Sequence, residues 1–218
     1  LSDCIERHRS AIQSRKSALA RSIASEAKSY LEQLPDTSQS KSSTTAYFAG
    51  LATVNLELGQ SLTILLDRFE ESKKRMVAQP TSSIHADRYE KRMPVGSYQL
   101  RLESPQHDSV VYPFQLNYGT NWDSREPRSI EFNKPLALPP KGETGAGNCF
   151  VPEGWFYVGG DPEAPNSLGE KRVWADGFVI SETPITHGQY LAFLNDLARS
   201  KGASEAELWL PREQSSSE

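Results

Sequence analysis

The residues of this chain that could act as nucleophiles or metal ligands are two cysteines and four histidines. Cys4 and Cys149 lie far apart, with neither CxxC nor Cys/His spacing, which argues against a disulfide framework and a zinc site. Cys149 has no adjacent His or basic residue to favour its thiolate form, so we expect a small core residue there. We therefore predict no catalytic, cofactor-binding or metal-binding residues, and no cofactor.

Two polar residues stand where ligands occur in other proteins. His187 could act as a ligand or a base, but a lone His beside a helix cap is more often a surface residue. Asp161 follows two glycines and could bind a cation, but Asp in such a turn usually serves the turn itself. The glycines of "KGETGAGN" lack the strand and helix that flank a phosphate loop, so we expect a linker.

The best-defined element is a helix that begins at "THGQ". The spacing of Thr186 and Gln189 predicts a capping box, in which each residue satisfies a backbone N–H of the other. Gly202 is expected to end this helix. A second capping box is predicted behind it, at Ser204 and Glu207.

The first part of the chain has a helical pattern. Apolar residues predict one helix up to Pro35, at Ile5, Ile12, Leu19, Ile23, Ala27, Tyr30 or Leu31, and Leu34. Thr44 is expected to cap a second helix with apolar residues at Tyr47, Leu51, Val54, Leu58, Leu62, Leu65 and Phe69. The pair predicts a coiled-coil-like helical hairpin over residues 1–80. Two helices alone leave part of both apolar stripes exposed to solvent. We therefore expect the helical hairpin to need a protein partner or a second copy.

The period changes from helical to alternating between residues 88 and 138. "SYQLRL" and "VVYPFQLNY" predict two strands joined by a turn, and Pro113 marks the second as an edge or bulged strand. A third strand is expected around Ile130 and Phe132. This segment is therefore predicted to be a small antiparallel β-module.

Residues 139–147 are expected to be a linker, and residues 148–218 to form a third domain of two strands and the capped helix. Aromatic residues are dense there, which usually indicates a core. Two strands and a helix or two offer little surface to cover them, so we expect an incomplete domain. Four rings should be less buried than their context demands, namely Trp155, Trp174, Tyr190 and Phe193, and "LPREQSSSE" is expected to be a disordered tail.

Charge and hydropathy argue against two classes of partner. Residues 1–93 carry a net charge of +3 and residues 94–218 a net charge of −7, so neither half has a nucleic-acid-binding surface. No apolar run could span a bilayer, and the cysteine usage fits a reducing compartment. We predict a cytoplasmic protein that binds neither nucleic acid nor membranes. Because the chain starts with Leu1 rather than Met, we also expect a piece of a longer protein.

"VPEGWFYVGGD", "RVWADGFVISETPIT" and "HGQYLAFLNDL" resemble the opening of the formylglycine-generating enzyme (sulfatase-modifying factor) family. The resemblance covers about residues 148–200 and departs at Val158, where the family often has Met, and at His187, where it usually has Asn. It implies a C-type-lectin-like fold. Family members include a copper-dependent oxidase of sulfatase cysteines, an iron-dependent sulfoxide synthase, and binding or regulatory domains. Their catalytic and metal residues lie downstream of this opening, so none carries over.

"MPVGSYQLRLESPQHDSVVYPFQLNYGTNWD" resembles the PEGA-like β-module that precedes such a domain in certain bacterial serine/threonine kinases. In those proteins a helical segment separates the kinase from the β-module, and residues 1–80 would be that segment. The chain has no HRD motif, no DFG motif and no glycine-rich loop followed by a strand Lys. A kinase is therefore implied only upstream, by resemblance.

Two functions stay open for this α+β multidomain chain. The first is a noncatalytic regulatory, sensory or scaffolding region of a larger bacterial signalling protein. The alternative is a fragment of a formylglycine-generating-type oxidoreductase that acts on a peptide cysteine. A kinase core upstream would support the first, and a pair of cysteines downstream would support the second.

Overall fold

The structure, a computed structural model, describes residues 1–35, 39–125, 127, 134–161 and 163–211. It is mixed α+β with largely antiparallel sheets. The described helices are α1 (Ser2–Gln13), α2 (Ser17–Glu32), α3 (Gln39–Phe48), α4 (His187–Lys201) and α5 (Ala203–Glu207). The described strands are β1 (Leu51–Ser72), β2 (Arg75–Pro94), β3 (Gly96–Glu103), β4 (Val110–Leu116), β5 (Trp122–Asp123), β6 (Asn148–Val151), β7 (Gly154–Val158), β8 (Lys171–Ala175) and β9 (Phe178–Ser181). No helix in these residues is long and apolar enough to span a membrane.

A long antiparallel hairpin of β1 and β2 stands where the second helix was expected. The prediction of a helix from Thr44 to Phe69 is wrong, because α3 ends at Phe48 and Gly50 takes a left-handed φ of 66°. Strands β2 and β3 then pair with β1 on its two sides. The buried side chains of β1 alternate along it, at Ala52, Val54, Leu56, Leu58, Leu62, Ile64 and Leu66.

The first predicted helix is two helices. α1 and α2 are separated by Arg15, whose φ is 54°, and they pack against each other. Their shared core consists of Cys4, Ala11, Ala20, Ile23 and Ala27. The helical hairpin is therefore confined to residues 2–32, and the prediction of one over residues 1–80 is wrong. Ile12 and Leu19 stay exposed on this pair of helices, and the need for a protein partner or a second copy stays a prediction.

The predicted antiparallel pairing of β3 and β4 is confirmed, in a register that joins Tyr98 to Phe114. The sheet order is β2-β1-β3-β4, with β5 pairing in parallel to β1. β4 is an edge of this order, as Pro113 predicts, because proline cannot donate to a further strand. The third strand predicted around Ile130 and Phe132 lies outside the described residues.

Residues 140–144 of the segment predicted as a linker, 139–147, are held to the β3–β4 turn. The carboxylate of Asp108 accepts hydrogen bonds from the backbone N–H groups of Gly142 and Thr144, at 2.9 and 3.1 Å. These two bonds hold the pKa of Asp108 below its usual value. Residues 140–144 are therefore fastened at one end to the β-module rather than free.

Two compact units divide the chain differently from the predicted domains. The first consists of Leu1–Thr144 with Phe150–Phe178, and the second of Gly145–Cys149 with Val179–Glu218. The helices, the long hairpin and the β-module belong together in the first unit, as do β7 and β8. β7 joins this unit because its Trp155 and Tyr157 pack on the core of the sheet.

The second unit contains the predicted capped helix, α4. Its capping box is present, with Gln189 N–H donating to Thr186 Oγ1 and the Gln189 side chain accepting from Thr186 N–H. Gly202 ends the helix at a φ of 95°. The second capping box is wrong, because α5 begins after Gly202 without a side-chain cap.

None of the four rings expected to be under-buried is buried. In the first unit Trp155 and Trp174 are half-buried, and in the second unit Tyr190 is half-buried while Phe193 is 43% exposed. The segment "LPREQSSSE" lies outside the described residues from its third residue onward.

Candidate functional site

The residues considered for chemistry are divided between the two compact units. Cys4 is buried in the α1–α2 core, whereas Cys149 is exposed, which corrects the expectation of a core residue. His187 is exposed at the first position of α4. The carboxylate of Asp161 accepts a hydrogen bond from the N–H of Glu163, so it serves its turn. Within the described residues, no group of three His, Cys, Asp or Glu could hold a metal ion.

His8, His107 and the glycine segment are engaged by their own surroundings, whereas His85 is exposed on β2. His8 is buried with its Nδ1 3.2 Å from the hydroxyl of Tyr47, and His107 lies beside Gln60 and Ser104. The N–H of Gly142 points to the Asp108 carboxylate, so this glycine segment does not present that amide to a phosphate.

The feature of the first unit that most resembles a binding site is built on the β7–β8 hairpin. Trp155 pairs with Trp174, and Tyr157 pairs with Arg172, across the two antiparallel strands. Because side chains alternate along a strand, these four residues share one face of the hairpin. Trp155 and Tyr157 pack from that face onto the core of the sheet.

The backbone of this hairpin approaches the Tyr112 side chain of the sheet closely at Gly154. A Cβ atom on Gly154 would lie 3.0 Å from the hydroxyl of Tyr112, so only glycine leaves room here without a shift. That hydroxyl accepts a hydrogen bond of 3.1 Å from Nε1 of the buried Trp122. Burial raises the pKa of Tyr112 to about 12. The phenol therefore stays neutral and can both donate and accept hydrogen bonds.

Arg172 projects from β8 into a stack of aromatic rings. Its Cζ atom lies 4.4 Å from the centre of the Trp155 ring and 4.9 Å from that of Trp122. Nη1 donates a hydrogen bond of 3.4 Å to the backbone oxygen of Asn121. Burial lowers the pKa of Arg172, because the surroundings disfavour its charge.

Four nitrogens around this stack are buried donors with no acceptor among the described residues. They are Nε and Nη2 of Arg172, Nε1 of Trp155 and Nε1 of Trp174, which we call the donor cluster. The Trp155 and Trp174 rings meet edge to face with centres 5.5 Å apart. Buried donors are almost always paired in folded proteins, so this concentration on one hairpin is unusual.

Two apolar pockets lie beside the stack and share Pro113, Trp155 and Phe156 in their walls. Their volumes are about 240 and 270 Å³. The first is also lined by Tyr112, Val151, Pro152, Gly154, Ala175 and Phe178, and the second by Phe69, Ser97, Tyr98, Phe114, Gln115, Trp122 and Tyr157. We call the two pockets together the aromatic groove.

The outer face of the β7–β8 hairpin continues this apolar surface. Phe156 pairs with Val173 across the strands, and Val158 lies two residues from Phe156 on the same face. These side chains are 44%, 38% and 36% exposed in that order. An apolar hairpin face that is exposed beside an apolar groove is typical of a surface that binds another molecule.

Sequence reasoning found only part of this site. The aromatic density around Trp155 and Trp174 was a signal, but it predicted core. Arg172 was missed, although its position two residues before Trp174 in "KRVWA" places it on the same face of the strand as Trp174. Pro113 was recognised as an edge-strand residue and not as a wall of a groove.

Comparison with protein-family models, with curated proteins and with solved structures finds no match to this chain.

Proposed function

We propose that this chain is a noncatalytic regulatory or scaffolding region of a larger bacterial signalling protein, and that its aromatic groove binds apolar side chains of a protein partner. The observation that carries the proposal is the groove, whose walls are aromatic and which opens beside the exposed hairpin face. Protein interfaces are enriched in aromatic residues, which fill or form pockets at their centres.

The edge of the sheet favours recognition through side chains rather than through an added strand. β4 is the outermost strand of the sheet order, and Pro113 stands in its middle without an N–H to offer. An extended peptide that paired with β4 would lose a hydrogen bond there, whereas the walls around Pro113 accept apolar side chains. The partner therefore presents apolar groups.

The resemblances support the wider setting of this proposal. They suggest a PEGA-like β-module, followed by the start of a C-type-lectin-like domain of the sulfatase-modifying factor type, as in serine/threonine kinases that carry such a domain. The partner would then be another domain of the same polypeptide. Sequencing the reading frame on both sides of the chain tests this setting, and a parent protein without a kinase core contradicts it.

Binding to the groove is tested with N-acetyl-L-phenylalaninamide, a neutral mimic of an apolar side chain in a peptide. Titration followed by ¹H–¹⁵N NMR should shift the Trp155 indole and the Phe156 backbone signals in a saturable way. Phe156→Ser should weaken the effect. Phe193→Ser is the matched control, because Phe193 is 43% exposed and Phe156 is 44% exposed. Equal binding by both variants, or no saturable shift, overturns the proposed site.

The noncatalytic assignment is tested by direct assay. The chain is incubated with a sulfatase-type cysteine peptide, copper and oxygen, and separately with ATP. We expect neither formylglycine nor transferred phosphate. Reproducible formation of formylglycine that is lost in Cys149→Ala, or phosphate transfer that is lost in His187→Ala, would show that the assignment is wrong.

A further inference from the structure

Strand β2 leaves one of its two edges open. It is the outermost strand of the sheet on the side opposite β4, and within the described residues it pairs with β1 alone. Only Tyr89 and Met93 along it are buried. An edge strand presents a row of backbone N–H and C=O groups to which a further strand can pair. The walls of the aromatic groove contain no residue of β2, so the open edge is a separate surface.

Folded proteins usually protect such an edge, and β2 has a proline for this purpose over only part of its length. Pro80 has no N–H and opposes pairing near the tip of the β1–β2 hairpin. From Thr81 to Met93 the strand contains no proline, and its central residues, 87–91, are the charged run "DRYEK". Charged side chains oppose an uncharged strand, but they favour a strand whose charges complement them.

The run "DRYEK" is complementary in charge to its own reverse. If two copies pair antiparallel about a two-fold axis at Tyr89, Asp87 of each copy stands opposite Lys91 of the other. Arg88 of each copy stands opposite Glu90 of the other in the same way. Opposite charges directly across a strand pair stabilise it, and the two-fold symmetry makes each of these pairs occur twice.

The two kinds of pair lie on opposite faces of the sheet. Because side chains alternate, Asp87 and Lys91 share the face of the buried Tyr89, and Arg88 and Glu90 share the other face. Arg88 and Glu90 are joined by an ion pair of 2.9 Å along their own strand, which a second copy would extend into a network. Asp87 and Lys91 are exposed, and neither forms an ion pair with a described residue. These two charges are therefore free to meet a partner.

The neighbouring registers place like charges opposite each other. With the axis at Arg88, that guanidinium stands opposite its own copy. With the axis at Glu90, that carboxylate stands opposite its own copy, and Arg88 stands opposite Arg92. Like charges directly opposite destabilise a strand pair, so the charge pattern favours the register centred on Tyr89 over both of its neighbours.

We infer that two copies of this chain associate through the open edge of β2, in an antiparallel pair whose two-fold axis passes through Tyr89. In this register Ile84 stands opposite Pro94, and Pro80 lies outside the paired segment. The same patch is used by both copies, so the contact closes on itself and forms a dimer rather than a fibre. The inference goes beyond the proposed function and does not depend on it.

Sedimentation of the chain at increasing concentration tests the inference. We expect a reversible monomer–dimer equilibrium at concentrations up to about 1 mM. Asp87→Lys and Lys91→Asp each replace two attractive pairs by two repulsive ones, so each should weaken the dimer about tenfold or more. Glu71→Lys is the matched control, because it makes the same change of charge at an exposed residue of β1, away from the open edge. It should leave the dimer unchanged.

Exchange of the two charges gives a sharper test. The double variant Asp87→Lys with Lys91→Asp should dimerise like the unaltered chain, because opposite charges again stand across the axis. An equal mixture of the two single variants should form a mixed dimer that neither variant forms with itself. Residues four apart on a strand are separated by about 13 Å, so this rescue acts between copies rather than within one chain.

Hydrogen exchange locates the contact without any substitution. The amides of β2 that point away from β1 should exchange more slowly at a concentration where the dimer dominates than at a concentration where the monomer dominates. Circular dichroism checks the fold of each variant. If a variant does not fold, exchange on the unaltered chain still decides.

The outcomes separate this inference from the proposed function. A chain that stays monomeric at about 1 mM leaves the edge to solvent or to a different strand, and the inference is then wrong. A dimer that is insensitive to both single substitutions, or whose β2 amides gain no protection, uses another surface and also overturns it. A groove that fails to bind N-acetyl-L-phenylalaninamide while the β2 dimer forms contradicts the proposed function alone.

Discussion

Nε1 of Trp122 donates a hydrogen bond of 3.1 Å to the hydroxyl of Tyr112, and both side chains are buried. The bond ties the short strand β5 to β4 beneath the aromatic groove. It also gives the one polar atom of the Trp122 ring its partner in an otherwise apolar core.

Tyr112→Phe should destabilise the chain. The substitution leaves the indole N–H of Trp122 unpaired in the core, which costs about 1–3 kcal/mol of unfolding free energy. Urea denaturation followed by tryptophan fluorescence measures the change. Tyr30→Phe is the control, because Tyr30 is 49% exposed on α2 and should alter stability by less than about 0.5 kcal/mol. Similar effects of both substitutions would speak against the bond.

Stability should fall in alkaline solution. Burial raises the pKa values of Tyr89 and Tyr112 to about 12, whereas a tyrosine in the unfolded chain ionises near about pH 10. Between these values the folded chain keeps protons that the unfolded chain loses, so stability is complete below pH 10 and decreases toward pH 12. The slope reaches up to about 1.4 kcal/mol per pH unit for each tyrosine. Denaturation curves at about pH 9 and about pH 11 measure it, and Tyr112→Phe should show the smaller decrease.

Stability should also fall in mild acid because of His8. Burial lowers the pKa of His8, whereas a histidine in the unfolded chain takes up a proton near about pH 6.5. Below that pH the unfolded chain binds a proton that the folded chain excludes, until the folded pKa is reached. The unfolding free energy should therefore decrease as the pH falls below about 6.5. His8→Gln should reduce this decrease, and His187→Gln, at an exposed residue, should not.

Gly59→Ala distinguishes the observed strand from the helix that the sequence suggested. Gly59 has a φ of 70° at an irregularity of the β1–β2 register, and an added Cβ would lie 2.9 Å from Pro135. Strain and overlap should cost about 1–3 kcal/mol. In a helix the same change would stabilise by about 1 kcal/mol.

Gly188→Ala provides the matched comparison for Gly59→Ala. Gly188 lies inside α4, and its added Cβ would meet only Thr186 Oγ1, at 4.0 Å. We expect a gain of up to about 1 kcal/mol in the stability of that helix. Thermal denaturation of both variants measures the two signs, and a stabilising Gly59→Ala would contradict the strand.

The sequence by itself determined the elements whose hydrogen bonds are local. The capping box of Thr186 and Gln189 joins groups three residues apart, so neighbouring residue types suffice to specify it. The β3–β4 hairpin has alternating side chains and a short connection, and Pro113 excludes a further strand at its own position. The capping box and the alternation of the hairpin strands can therefore be predicted without knowledge of the tertiary structure.

Tertiary structure decided what β1 becomes. Some of its apolar residues are spaced three and four apart, as in a helix, and others two apart, as in a strand. Both periodicities therefore fit part of the same segment. Pairing with β2 and with β3 selects the second set, because it buries alternate side chains on the sheet. Many of the paired residues lie far apart in sequence, as Leu51 and Pro94 do.

The candidate site depends on tertiary structure for the same reason. Trp122, Trp155 and Arg172 come from three strands, and only the packing of β7 and β8 on the sheet brings their rings and charge together. Each residue taken alone is an ordinary core aromatic or surface Arg. Stacking energies and the cost of burying a charge depend on the distances between residues of different segments. Those distances are set by the fold and cannot be derived from the sequence alone.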